Sequence, residues 1–147
     1  MNIMMRFSLL SMLLFCSLSR ADTIDNYMDI ANNIPQMEIK ADPQAQAWAR
    51  SARHVITITC ESIAETLVQA NETAQHQGKP LFCLTPGTQL SAAMLNNLIQ
   101  QTYKELSSQQ SDKNKMTVSQ VALLGLSKQY PCKTNELVGN AMTHVGG

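Results

Sequence analysis

Three thiols, Cys60, Cys83 and Cys132, are the residues of this chain best suited to do chemistry. Two of them sit in short aromatic contexts, Phe82-Cys83 and Tyr130-Pro131-Cys132. A thiol can serve as nucleophile, metal ligand or half of a disulfide, and the compartment goes far to decide which. A nucleophile needs a base within reach. The nearest histidine to Cys60 is His54, and at about 100° per residue their separation turns them to different faces of a helix. Cys60 is thus a free-thiol candidate whose plainer reading is a small buried apolar residue.

The other reactive side chains assemble no better. His54, His76 and His144 are the only histidines, and none lies at the i, i+4 spacing that puts two imidazoles on one helix face. No metal or cofactor is expected. Glu61 and Glu65 share a helix face, whereas glycosidase acids stand across a cleft on different elements. No nucleophile elbow, phosphate-binding loop or dinucleotide fingerprint is present. The expectation is a protein that is not an enzyme. Asn71-Glu72-Thr73 is formally a glycosylation sequon, discounted because it falls within a helix behind a bacterial-looking leader.

That leader sets the compartment. Arg6 precedes the apolar run 7–18, the length of a signal-peptide core and shorter than the roughly 20 residues a membrane span needs. Ser19-Arg20-Ala21 puts small residues around a cleavage site after Ala21, so 1–21 reads as a signal peptide. A lipoprotein with Cys16 modified is disfavoured by the bulky Phe15 before it. The chain is expected to be periplasmic or secreted, with no membrane span. Without Arg6 and Arg20, nine Lys/Arg face eleven Asp/Glu, a net charge of about −2. With no basic stripe, nucleic acid is not expected as a partner.

The elements that must position these residues read as helices. Asp22 is expected to cap a first helix over 23–33, stopped before Pro35. Asp42-Pro43 restarts the chain with a cap and a proline at the first helical position. Trp48, Ala52, Val55, Thr59, Ile63, Leu67, Ala70 and Ala74 then recur at spacings of three and four, a long helix to about 77 ended by Gly78 and Pro80. Its weak point is the β-branched run 55–59, kept helical by its flanks, with a kink expected near 57–60. After a loop over 81–87, Thr88 is expected to cap a third helix to about 107. A polar turn over 107–115 leads to Thr117, capping a fourth helix to about 129 that Pro131 stops. The fold class is all-α: a small bundle of about four helices, one domain over 22–132, with a mobile tail over 133–147.

Helix lengths rank the thiol pairs. The third helix runs about 27 Å out and the fourth about 18 Å back, which returns Cys132 near Cys83 if the two are antiparallel. Such a disulfide ties a C-terminal helical hairpin and closes about 50 residues, worth on the order of 4 kcal/mol by chain entropy. Cys60–Cys83 is the second candidate, requiring the loop to run back along the second helix. Trp48, near Arg50 and Arg53, supplies residue types enriched in binding hot spots, so these three are the partner-binding candidates. Packing of Trp48 into its own core is the competing reading.

With Phe82-Cys83 leading through Pro86-Gly87 into a helix at Leu90, and a second helix closed by Tyr130-Pro131-Cys132, the chain resembles the Rap/Tai family of periplasmic immunity proteins. The resemblance spans 60–132, with Cys60 standing where that family often has a helix cysteine. Two departures are visible: the proline after the first cysteine falls one residue late, and an N-terminal cysteine usual in the family is absent. The resemblance implies a helical, disulfide-bonded protein that neutralises a peptidoglycan-amidase toxin delivered by type VI secretion. It carries over no toxin-contact residue. Alternatives are a secreted virulence or accessory factor and an acid-stress periplasmic chaperone.

Overall fold

A computed structural model describes residues 23–106 and 112–132; the expected leader, Asp22, 107–111 and the tail 133–147 lie outside the described residues. Four helices follow in order: α1 (Ile24–Glu38), α2 (Pro43–His76), α3 (Ala92–Glu105) and α4 (Val118–Gln129), with a 3₁₀ turn at Lys113–Lys115 before α4. The protein is an all-α bundle whose C-terminal hairpin is closed by a Cys83–Cys132 disulfide, its Cα atoms 5.0 Å apart. α1 and α3 both pack on α2, and α4 packs on α3. An antiparallel bridge, Thr23 to Thr117, joins the start of α1 to the start of α4.

Local chemistry explains most boundaries. The Asp42 carboxylate accepts from the Gln44 and Ala45 N–H groups, each at 3.2 Å, and Pro43 needs no partner at the first position. α2 then runs unbroken for 34 residues, through the β-branched stretch, to His76, and Gly78, with a φ of +72°, turns the chain away. Thr117 and Gln120 form a reciprocal capping box that starts α4.

Three helix ends differ from the sequence expectation. α1 continues through Pro35 to Glu38 instead of stopping at Asn33. Pro35 forfeits one backbone bond, but Ile34 beside it is 6% exposed and extends the apolar stripe of Ile24, Tyr27 and Met28 into the core. α1 begins at Ile24, with Thr23 at the cap position making no side-chain bond; the Ile24 N–H instead reaches the Met116 carbonyl at 2.8 Å. α3 starts at Ala92, capped by Ser91, whose hydroxyl accepts from the Met94 N–H at 3.2 Å, and not at Thr88. Thr88 is spent in a turn, its N–H on the Thr85 carbonyl, next to Gly87 at φ +84°.

The phase of α2 is a further correction. Its buried face is Ala45, Ala49, Ala52, Ile56, Cys60, Ala64 and Leu67, whereas Trp48 and Val55 of the expected stripe are exposed. Small side chains on that face let α1 and α3 approach closely, and Tyr27, Leu95 and Ile99 fill the space they leave. Phe82, from the loop between α2 and α3, is 1% exposed and completes this core.

α4 packs against α3 at Gly125 with no room for a side chain. A Cβ there would collide with the Thr102 hydroxyl and stand 2.9 Å from Leu98 Cγ. Gly125→Ala is expected to cost about 1–3 kcal/mol in overpacking, against a helix-propensity gain of at most about 1 kcal/mol. The urea midpoint should fall with an unchanged m-value; an unshifted midpoint would mean that the helices part freely at this crossing.

Candidate functional site

Cys60 sits at the centre of the bundle, 0% exposed and unpaired. Its sulfur lies 3.2 Å from the Tyr27 hydroxyl, which donates its one hydrogen to Asn96 Oδ1 at 2.7 Å. The thiol must then be the donor to the tyrosine oxygen. Gln100 Nε2 reaches the same Asn96 oxygen at 2.9 Å, so α1, α2 and α3 share one polar thread through an apolar core. Burial pushes the Cys60 thiol above its ordinary range, with the Tyr27 bond opposing this in part. Burial likewise raises the Tyr27 phenol. A protonated, enclosed thiol is a poor nucleophile, and exposed His54 lies on a different face of α2.

The three partner-binding candidates are not brought together. Trp48 is 41% exposed, but residues two and five positions on project to other sides of a helix. Arg53 reaches over to α1, its Nε and Nη2 donating to Glu38 Oε1 at 3.1 and 2.5 Å. Arg50, three residues before Arg53, is exposed on the side of α2 that Arg53 occupies, away from Trp48. The neighbours of Trp48 on its own face are Ser51, Val55 and Ile58, at spacings of three, four and three. Val55 is 54% exposed and Ile58 48%. Sequence reasoning missed this strip because Val55 fits a core-facing stripe equally well. The signal that could have revealed it was the rival stripe of small residues, Ala45, Ala49 and Ala52, one step around the helix.

Glu61, Glu65 and Glu72 line one wall of a shallow groove of about 620 Å³, closed on the other side by Leu90, Ser91 and Ala92. The two spaced acids do share a helix face, as expected. Among the described residues none of the three glutamates makes an ion pair. Among the described residues there is no group of three or more His, Cys, Asp or Glu suited to a metal, and no helix long and apolar enough to cross a membrane.

The disulfide belongs to a strap over 79–85 that is also held non-covalently. Asn71 Oδ1 accepts from the Leu81 and Phe82 N–H groups at 2.7 and 3.1 Å, and Asn71 Nδ2 donates to the Phe82 carbonyl at 3.0 Å. The Cys83 N–H donates to the Tyr130 carbonyl at 2.8 Å, joining the strap to the end of α4.

Tyr27→Phe removes the shared hydroxyl and is expected to lower stability by about 1 kcal/mol. In the native protein Cys60 should resist iodoacetamide and react fully in denaturant; rapid native labelling would contradict an enclosed thiol. Comparison of the chain with protein-family models, curated proteins and solved structures gives no match.

Proposed function

We propose that the chain is an exported, non-enzymatic domain that acts by binding another protein. In its sharpest form it is a periplasmic immunity protein that occludes the active site of a peptidoglycan amidase. The observation that carries the binding reading is the strip of Trp48, Val55 and Ile58 on α2, each about half exposed and separated by uncharged Ser51. Each of these side chains contributes on the order of 1 kcal/mol when a partner completes its burial. Trp48 stands at one end of the strip, and tryptophan is among the residues most often found as hot spots. The disulfide supports export, since such bonds persist in oxidising compartments. The amidase as partner rests on the resemblance over 60–132. Arg50 and Arg53 are left outside the proposed patch, Arg53 because Glu38 already holds it.

The test uses the chain from residue 22 and a purified peptidoglycan amidase of the type VI secretion class that the resemblance implies. Hydrolysis of a peptidoglycan suspension should stop near one equivalent of the protein. Val55→Asp and Trp48→Ala should each weaken inhibition about tenfold or more while leaving the helical circular dichroism unchanged. No inhibition at about a tenfold excess defeats the immunity reading. Full inhibition by both variants defeats the assignment of this face.

A further inference from the structure

Chain statistics favour the wrong disulfide in this protein. Cys60 and Cys83 are 23 positions apart, and the observed pair Cys83–Cys132 is separated by 49. In an unstructured chain the shorter loop closes roughly threefold more often. The fold must therefore overturn that preference before the covalent bond can do so. We propose that the strap over 79–85 is a folding template for the disulfide: Asn71 and Phe82 place Cys83 against Cys132 in the reduced chain, while the core encloses the competing thiol of Cys60.

Each part has its own geometry. The three hydrogen bonds of Asn71 hold the backbone immediately before Cys83, and they come from α2, a helix that carries neither half of the disulfide. The buried Phe82 ring fixes the strap's depth. The Cys83 N–H to Tyr130 carbonyl bond sets its register against the end of α4, two residues before Cys132. On the losing side, Cys60 is fully buried beneath Tyr27, which takes up its S–H. Two thiols so placed meet at an effective concentration far above that of a free loop.

The chemistry needs an external disulfide as oxidant, such as glutathione disulfide. One thiolate of the native pair attacks it, releasing one glutathione thiol and forming a mixed disulfide. The second thiolate then displaces the remaining glutathione. The two cysteines lose two electrons and two protons, and the oxidant becomes two thiols.

The reduced chain, residues 22–147, is oxidised in a glutathione buffer, quenched by alkylation at intervals and mapped by peptide mass spectrometry. In strong denaturant the 60–83 pair should exceed the 83–132 pair by roughly threefold. In native buffer 83–132 should form almost alone, with Cys60 unmodified. Asn71→Ala should slow native pairing about tenfold or more and raise the 60–83 fraction, with Asn71→Asp, which keeps the acceptor, falling between. As a check independent of oxidation, the Cys83→Ser/Cys132→Ser chain should still protect the Leu81 and Phe82 amides from hydrogen exchange. Loss of that protection while α2 stays protected would overturn the proposal, as would wild-type speed and fidelity in Asn71→Ala.

Discussion

The structure depends on the narrow face of α2. Ala45, Ala49, Ala52 and Ala64 occupy positions where larger side chains would hold the neighbouring helices away. Because they are small, α1 can turn back along α2 after residue 39, and α3 can settle beside both. Ile56, Cys60 and Leu67 provide the remaining apolar area on that face, and the bulk comes from the partners, Tyr27 and Met28 on α1, Leu95 and Ile99 on α3. α4 completes the bundle through α3, where glycine is the only residue that fits at 125 without displacing Leu98 or Thr102. The same geometry sends the large apolar residues Trp48, Val55 and Ile58 outward. The exposed strip is a by-product of the tight inner face as much as a feature in its own right.

Polar groups inside the bundle are few and all engaged. Tyr27, Cys60, Asn96 and Gln100 satisfy one another across three helices, and among the described residues no buried side-chain nitrogen or oxygen lacks a partner. Such a thread is directional where apolar packing is not, so it fixes the rotation and height of α1 relative to α2 and α3. Surface ion pairs, including Lys128 to Glu105 between α4 and α3, add little beside it.

How far the sequence could be read depended on whether the cause was local. Asp42-Pro43, Thr117 and Gly78 act through their own side chains or backbone freedom, and the helix ends they imply are where the structure has them. Helix lengths rank Cys83–Cys132 ahead of Cys60–Cys83, and the first-ranked pair is the one the structure has. Pro35 misled because the preference it breaks is local, whereas the burial of Ile34 that overrides it is tertiary. Thr88 and Ser91 are both competent caps, and only the turn at Thr85 to Thr88 decides between them. The rotation of α2 was illegible for a related reason. A long helix with apolar residues on several sides offers more than one stripe, and the choice is made by the shapes of α1 and α3. The candidate site suffered most, since a two-residue spacing in the sequence placed Trp48 and Arg50 together where a helix separates them.

The amide of Asn71 bears on how the protein can be produced. Asn71-Glu72-Thr73 is an acceptor sequence for the oligosaccharide transfer of a eukaryotic secretory pathway, which acts on chains before they finish folding. Here the nitrogen that would take the sugar donates to the Phe82 carbonyl, and the oxygen beside it is shared by two strap amides. A glycan on that nitrogen would stand where the strap crosses α2. Secretion from yeast or animal cells would therefore set glycosylation against folding at a single atom, a conflict that a bacterial host never meets.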